Sequence, residues 1–209
     1  VQTNGVHSAG IYSVSDITLE DTKISTEKST AAVIDFNGKI NLTNCDVTSG
    51  GKRAVLMYCT AVTDSRNEGT FSMKGGSLNA TNGPIFYVTN VGAQINLENV
   101  ELKSSTGIIV NALKDKSELG KEEKVEDNGG GKVVLKAKNQ KFEGGFVADK
   151  DSSLDITLSS GSSLKGYINK ENTAKNVVLT VESGCTIELT DNCYVDELNL
   201  ADGATVVEN

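Results

Sequence analysis

Two cysteines, Cys185 and Cys193, stand in the stretch GCTIELTDNCYV with Glu188, Asp191 and Asn192 between them. A zinc site would need further nitrogen or sulfur donors, and no histidine is near. A redox C-x-x-C spacing is also absent. The turn residues TDN reverse the chain between the two thiols. That leaves two readings open: a Cys185–Cys193 disulfide clamping this part of the chain, or a pair of buried thiols. Cys45 and Cys59 complete the four cysteines, a count too ordinary to decide the redox compartment.

Other candidate chemistry is sparse. His7 is the only histidine, in NGVHSAG, and no G-x-S-x-G elbow accompanies it, so no triad can be assembled. DNGGGK at Asp127–Lys132 lacks the G-x-x-x-x-G-K-[ST] spacing of a phosphate loop and reads as a hairpin end. It lacks the G-G-x-G-x-D repeat of calcium β-rolls as well. Asn41-Leu-Thr and Asn79-Ala-Thr match the glycosylation sequon, as chance allows in an Asn- and Thr-rich chain. No metal, cofactor or catalytic residue is expected from these motifs.

The composition says which elements must carry any site. The 209 residues are 37% hydrophobic, with no Trp, one Pro, five Phe and five Tyr. Thr and Val suit strands, and Gly, Asn and Asp suit turns, so an all-β chain of many short strands is expected. The net charge of −8 repels phosphate backbones, so nucleic acid and anionic membrane surfaces are not expected partners. No apolar run approaches the roughly 18 residues of a membrane span, so no membrane insertion is expected. The opening at Val1, without a basic and apolar leader, reads as a mature chain or an excised fragment.

Apolar-x-apolar strands recur as ITLED, INLTN, FSMKG, INLEN, VVLKA, ITLSS, VVLTV and LNLAD. Measured at Leu19, Leu42, Met73, Leu97, Leu135, Leu158, Leu179 and Leu200, the steps are 23, 31, 24, 38, 23, 21 and 21. A second apolar cluster follows each strand. A third precedes the next repeat, as GIYSV, AVIDF, AVLMY, PIFYV, GIIVNA, GFVAD, GYINK and CYVDE. One such coil cannot bury its own apolar positions, but stacked coils enclose a continuous core. The expectation is a single right-handed parallel β-helix over 1–209, with about eight coils of 21–24 residues and three short strands per coil. A leucine-rich repeat fits the period but not the residue signature.

The two long steps mark insertions at about 60–69 and 113–131, both leaving after the third strand and so emerging on one edge. Loops grouped on one face of a repeat protein often form its binding face. The longer insertion holds ten charged residues between Lys114 and Asp127, with a helical turn or two expected over 117–127. Outward middle positions of the first strands are expected at Thr18, Asn41, Ser72, Asn96, Val134, Thr157, Val178 and Asn199, a row without carboxylates. The corresponding third-strand row is expected at Ser13, Asp35, Met57, Tyr87, Asn111, Ala148 and Asn169. Its candidate binding residues are Tyr87 with Met57 as an exposed apolar pair, together with Asp35 and Asn111. Clustered carboxylates of the kind polysaccharide-cleaving β-helices need are not visible.

From residue 162 the sequence SSLKGYINKENTAKNVVLTVESGCTIELTDNCYVDELNLADGATVVEN resembles the closing coils of bacterial adhesin-like β-helices, especially autotransporter passenger domains. Gly166-Tyr-Ile168, Val177, Leu179, Val181, Gly184, Ile187, Thr190, Tyr194, Val195, Leu198, Leu200 and Gly203-Ala204 carry the match. Cys185, Thr186 and Cys193 depart from it. Beyond these end coils, 162–209, the likeness is the repeat spacing shared with pectin-lyase-like folds. The resemblance implies a secreted or cell-surface bacterial rod that presents a surface to a glycan or host protein, and it transfers no catalytic residue. Two alternatives remain open: a polysaccharide lyase or glycosidase-like protein with its cleft outside this chain, and a passive stalk. Oligomeric state is not readable.

Overall fold

In the computed structural model the described residues are 1–59, 67–115 and 129–208, and among them there are twenty strands, numbered in chain order, and no helix. The architecture is a parallel β-solenoid. Alternating apolar residues give each strand one inward row. A parallel strand needs a partner from another coil to satisfy its backbone groups. Stacking the coils meets both demands at once.

The first face is built from β3 (Asp16–Glu20), β6 (Lys39–Ser49), β8 (Glu68–Ala80), β10 (Gly92–Glu98), β13 (Lys132–Lys138), β15 (Ser153–Ser159), β17 (Asn176–Val181) and β19 (Glu197–Leu200). The third face stacks β2 (Ile11–Ser13), β5 (Ala32–Asp35), β7 (Val55–Tyr58), β9 (Phe86–Thr89), β12 (Ile108–Ala112) and the later parts of β14 (Lys141–Ala148) and β16 (Ser163–Ile168). The second face has no sheet of its own. In early coils β1 (Gln2–Thr3), β4 (Lys23–Thr26) and β11 (Glu101–Ser104) join the first-face sheet through the ends of β6 and β8. In late coils β18 (Thr186–Leu189) and β20 (Thr205–Glu208) continue the other sheet from the start of β16. Three faces are therefore served by two hydrogen-bonded sheets.

The register corrects the expected alignment in one respect. Ile17, Ile40, Phe71, Ile95, Leu135, Ile156, Leu179 and Leu198 share one inward row. VVLKA and VVLTV are thus displaced by two residues from the expected alignment. The outward row passes through Lys136 and Thr180, not Val134 and Val178. A two-residue slip preserves the in–out alternation, so the hydrophobic pattern does not resist it.

The bend between the first and second faces begins at a left-handed residue in six coils, and in two of them the next residue, Gly76 or Gly161, is left-handed too. Asp21, Asn44, Gly75, Asn99, Asn139 and Ser160 have φ of 46°, 50°, 65°, 54°, 48° and 52°. Each directly follows a member of the register row Glu20, Thr43, Lys74, Glu98, Lys138 and Ser159. Asn, Asp and Gly tolerate this left-handed conformation best, which explains their recurrence there.

Inside, the rows are buried through the middle coils, with Ile17 and Leu19 only partly so, and aromatic pairs help to fill the core. Phe71 meets Phe86 edge to face at 5.3 Å, and Phe142 meets Phe146 at 5.4 Å. In the last coil the inward positions Leu198, Leu200 and Val206 are 48%, 50% and 44% exposed, although their register partners are buried.

One buried side chain substitutes for a missing ladder contact. Gln140 is wholly buried; its Oε1 accepts from Val100 N–H at 2.8 Å, and its Nε2 donates to Val100 C=O at 2.7 Å. Gln140→Leu should therefore destabilise the fold by about 1–3 kcal/mol, because it strands two buried backbone groups. Chemical denaturation reads the difference, and an unchanged midpoint would show that water replaces the amide.

Candidate binding face on the third strand

All five tyrosines of the chain fall in the third-strand segments: Tyr12 in GIYSV, Tyr58 in AVLMY, Tyr87 in PIFYV, Tyr167 in GYINK and Tyr194 in CYVDE. The register places Tyr12, Val33, Leu56, Tyr87, Asn111 and Val147 in one outward row, with Asp35, Tyr58 and Thr89 in the outward row beside it. Val33 and Leu56 point outward yet are only 6% exposed, so the middle of this face is covered on its outer side as well.

The cluster is tied together by hydrogen bonds. Tyr12 Oη donates to Asp35 Oδ2 at 2.7 Å and lies 3.2 Å from Tyr58 Oη. Asp35 Oδ1 accepts from Phe36 N–H at 2.9 Å. Phe36 holds φ at 54°, an unusual backbone for a bulky residue, and the chain turns there directly beside the carboxylate. The Arg53 guanidinium lies 4.4 Å from the centroid of the Tyr87 ring, in cation–π geometry. Tyr87 Oη in turn donates to Asp115 Oδ2. Further along, Tyr167 lies over Gly145, where an added Cβ would stand 2.1 Å from the ring, and Lys170 Nζ sits 4.8 Å from the Tyr167 centroid.

Both insertions leave this face at the same edge, one after β7 and one after β12. Their described flanks are pinned to the tyrosine coils. Asn67 Nδ2 donates to Cys59 Sγ at 3.1 Å, and Asp115 N–H donates to Thr89 Oγ1 at 2.9 Å. Gly130 bridges Thr89 on the return. Residues 60–66 and 116–128 lie outside the described residues. The helical turn or two expected over 117–127 lies there.

Of the candidate binding residues, the structure brings Tyr87 and Asn111 side by side in register. Asp35 lies in the neighbouring row, 2% exposed beneath Tyr12. Met57 is a correction: it is wholly buried on the inward row between Ile34 and Val88, so no exposed pair with Tyr87 forms. The expected third-strand row had mixed parities, because AVLMY is apolar at five consecutive positions and alternation is unreadable there. Tyr12 and Tyr58 each stand one residue from an expected row member, Ser13 and Met57, so a one-residue error of parity hides them, and Arg53 lies in the corner before AVLMY. The confinement of tyrosine to one segment of each coil was the signal that would have found them.

The cysteines carry no chemistry in this arrangement. Cys185 and Cys193 are both thiols, so the bridge considered between them is not formed. Burial pushes the Cys193 thiol up, which keeps it protonated and a poor nucleophile. His7 sits exposed at a turn with φ of 58°. Among the described residues, no group of three or more His, Cys, Asp or Glu side chains is placed to hold a metal ion.

Burial of the hydroxyl, its contact with Tyr58 and its bond to Asp35 hold the Tyr12 phenol well above its ordinary pKa. An unfolded tyrosine releases its proton near pH 10 (about), whereas folded Tyr12 keeps it. The stability this contributes is complete below that pH and is lost as pH rises through the folded pKa. Tyr12→Phe should remove the dependence. Denaturation midpoints at about pH 8 and about pH 11 check it, with the wild-type chain falling further than the variant. Comparisons with protein-family models, curated proteins and solved structures found no match to this chain.

Proposed function

We propose that this chain is a non-catalytic, adhesin-like binding rod, secreted or displayed on a bacterial surface, whose third face recognises a glycan. The single observation that carries this reading is the collection of every tyrosine on one of three faces, in a chain without tryptophan. Tyrosine presents a rigid apolar ring and a polar tip at small entropic cost, so it serves sugar and protein recognition alike. Arg53 over Tyr87, with Asn111 beside it, adds the fixed polar groups that orient a ligand. The resemblance of residues 162–209 to closing coils of bacterial surface proteins supports the location. A host surface protein is the other partner that such a face fits.

A glycan array probed with the chain should give a defined set of bound sugars. Tyr12→Ala and Tyr87→Ala should each weaken the best of them by about tenfold or more, as central aromatic anchors do. No binding on the array, or binding indifferent to both substitutions, would leave a passive stalk as the better reading.

One observation favours a carbohydrate-active alternative: a buried carboxylate, Asp35, bonded to a tyrosine hydroxyl on the same face. Incubation with acidic and neutral polysaccharides, with and without Ca²⁺, distinguishes the two. New reducing ends or unsaturated products, lost in Asp35→Asn, would replace the binding reading with an enzymatic one.

A further inference from the structure

The first face carries a different surface. A groove of about 510 Å³ runs across β6, β8, β10, β13 and β15, lined among others by Lys74, Asn96, Glu98, Lys136 and Lys138. Lys74 and Lys138 stand one coil to either side of Glu98 in the same register row. Both ammonium groups converge on a single oxygen, Glu98 Oε1, at 3.2 Å and 3.7 Å. Lys136 shares the outward side of β13 with Lys138 and is exposed, and among the described residues it meets no carboxylate. The groove thus sets three cations against one anion, in a chain whose net charge is −8. The local excess is positive where the molecule as a whole is negative.

The geometry points to a binding site for sulfate or phosphate esters carried on a polysaccharide, lying across the first face and independent of the tyrosine face. Lysine ammoniums are compact point charges suited to tetrahedral oxyanions. A sulfate or phosphate ester offers three terminal oxygens to three separated ammoniums where a carboxylate offers two, and the groove lining contains no arginine fork. Asn41, Thr43 and Ser72 supply hydroxyl and amide donors around the lysines, and Asn96, which donates one amide hydrogen to Ser72 Oγ, has a second. Successive coils repeat the outward positions every 4.8 Å or so, so a linear polymer along the stack meets donors at regular intervals. Glu98 holds two of the lysines in place and competes with the ligand for them. A bound oxyanion takes over the ammonium groups that Glu98 shares.

The probes are dextran sulfate, phosphorylated dextran, neutral dextran and polygalacturonate, titrated against the intact chain at low and high salt. Both ester-bearing dextrans should bind, with affinity falling as salt screens the lysines. Neutral dextran should not bind, and polygalacturonate should bind more weakly than either ester. Lys136→Ala should weaken binding about two- to fivefold, and the Lys74→Ala, Lys138→Ala pair further, in the range of exposed charge contacts. Glu98→Gln should tighten binding by freeing both ammoniums. Glu188→Gln, which removes the carboxylate 2.8 Å from Lys165 on another face, should not. Equal tightening by Glu98→Gln and Glu188→Gln would reduce the effect to net charge and overturn the site. Unchanged affinity in Lys136→Ala would overturn it as well. Polygalacturonate binding as tightly as the esters would overturn the ligand class.

Discussion

Backbone hydrogen bonds between successive coils constrain everything else in this molecule. A parallel strand cannot pair within its own coil, so every first-face and third-face strand borrows its partners from the coil before and the coil after. Side chains at equivalent positions are thereby stacked at a fixed spacing of about 4.8 Å, whether or not they would choose to be neighbours. The inward rows convert that constraint into a continuous apolar core. The outward rows convert it into surfaces whose chemistry is repeated or varied coil by coil. Where the ladder falters at Val100, a buried amide from Gln140 restores it, so the backbone accounting stays complete through the irregular middle of the rod.

The same constraint explains how two unlike surfaces coexist on one narrow rod. The faces share one core but point in different directions outside it, so the outward residues of one are free to differ from those of another. The third face gathers Tyr12, Tyr58 and Tyr87 around Asp35 and Arg53, while the first face gathers Lys74, Lys136 and Lys138 around Glu98. Each cluster is assembled from several coils distant in sequence, which is why neither resembles a motif. A solenoid builds its sites across the repeat, at one or two residues per turn.

How much of this was legible in the sequence follows from the same geometry. Period, inward positions, the two insertions and their common edge could be read directly, because a buried row tolerates few polar residues. What failed was register at the scale of two residues and parity within apolar runs. In β13 the two large inward residues, Val133 and Leu135, stand opposite Ala93 and Ile95, and the small Ala137 stands opposite Leu97, so VVLKA aligns by its large residues one step early and Lys136 is absent from the expected outward row. In AVLMY both parities are buried, and Met57 looked as available as Leu56. The candidate face was half visible: Tyr87 and Asn111 are neighbours as expected, but the hydroxyl network above Asp35 depends on rotamers that no spacing encodes.

The tight left-handed bends at Asp21, Asn44, Gly75, Asn99, Asn139 and Ser160 bear on how such a rod can diversify. This corner has little slack: one added residue is taken up by the left-handed pair Ser160 and Gly161, and Leu164 still stands in register with buried Phe142. The large variations in length lie at the opposite edge, where both insertions emerge. The rod has one edge that behaves as a fixed spine and another open to grafting, so new loops can be exchanged at the tyrosine face without disturbing the stack that carries them.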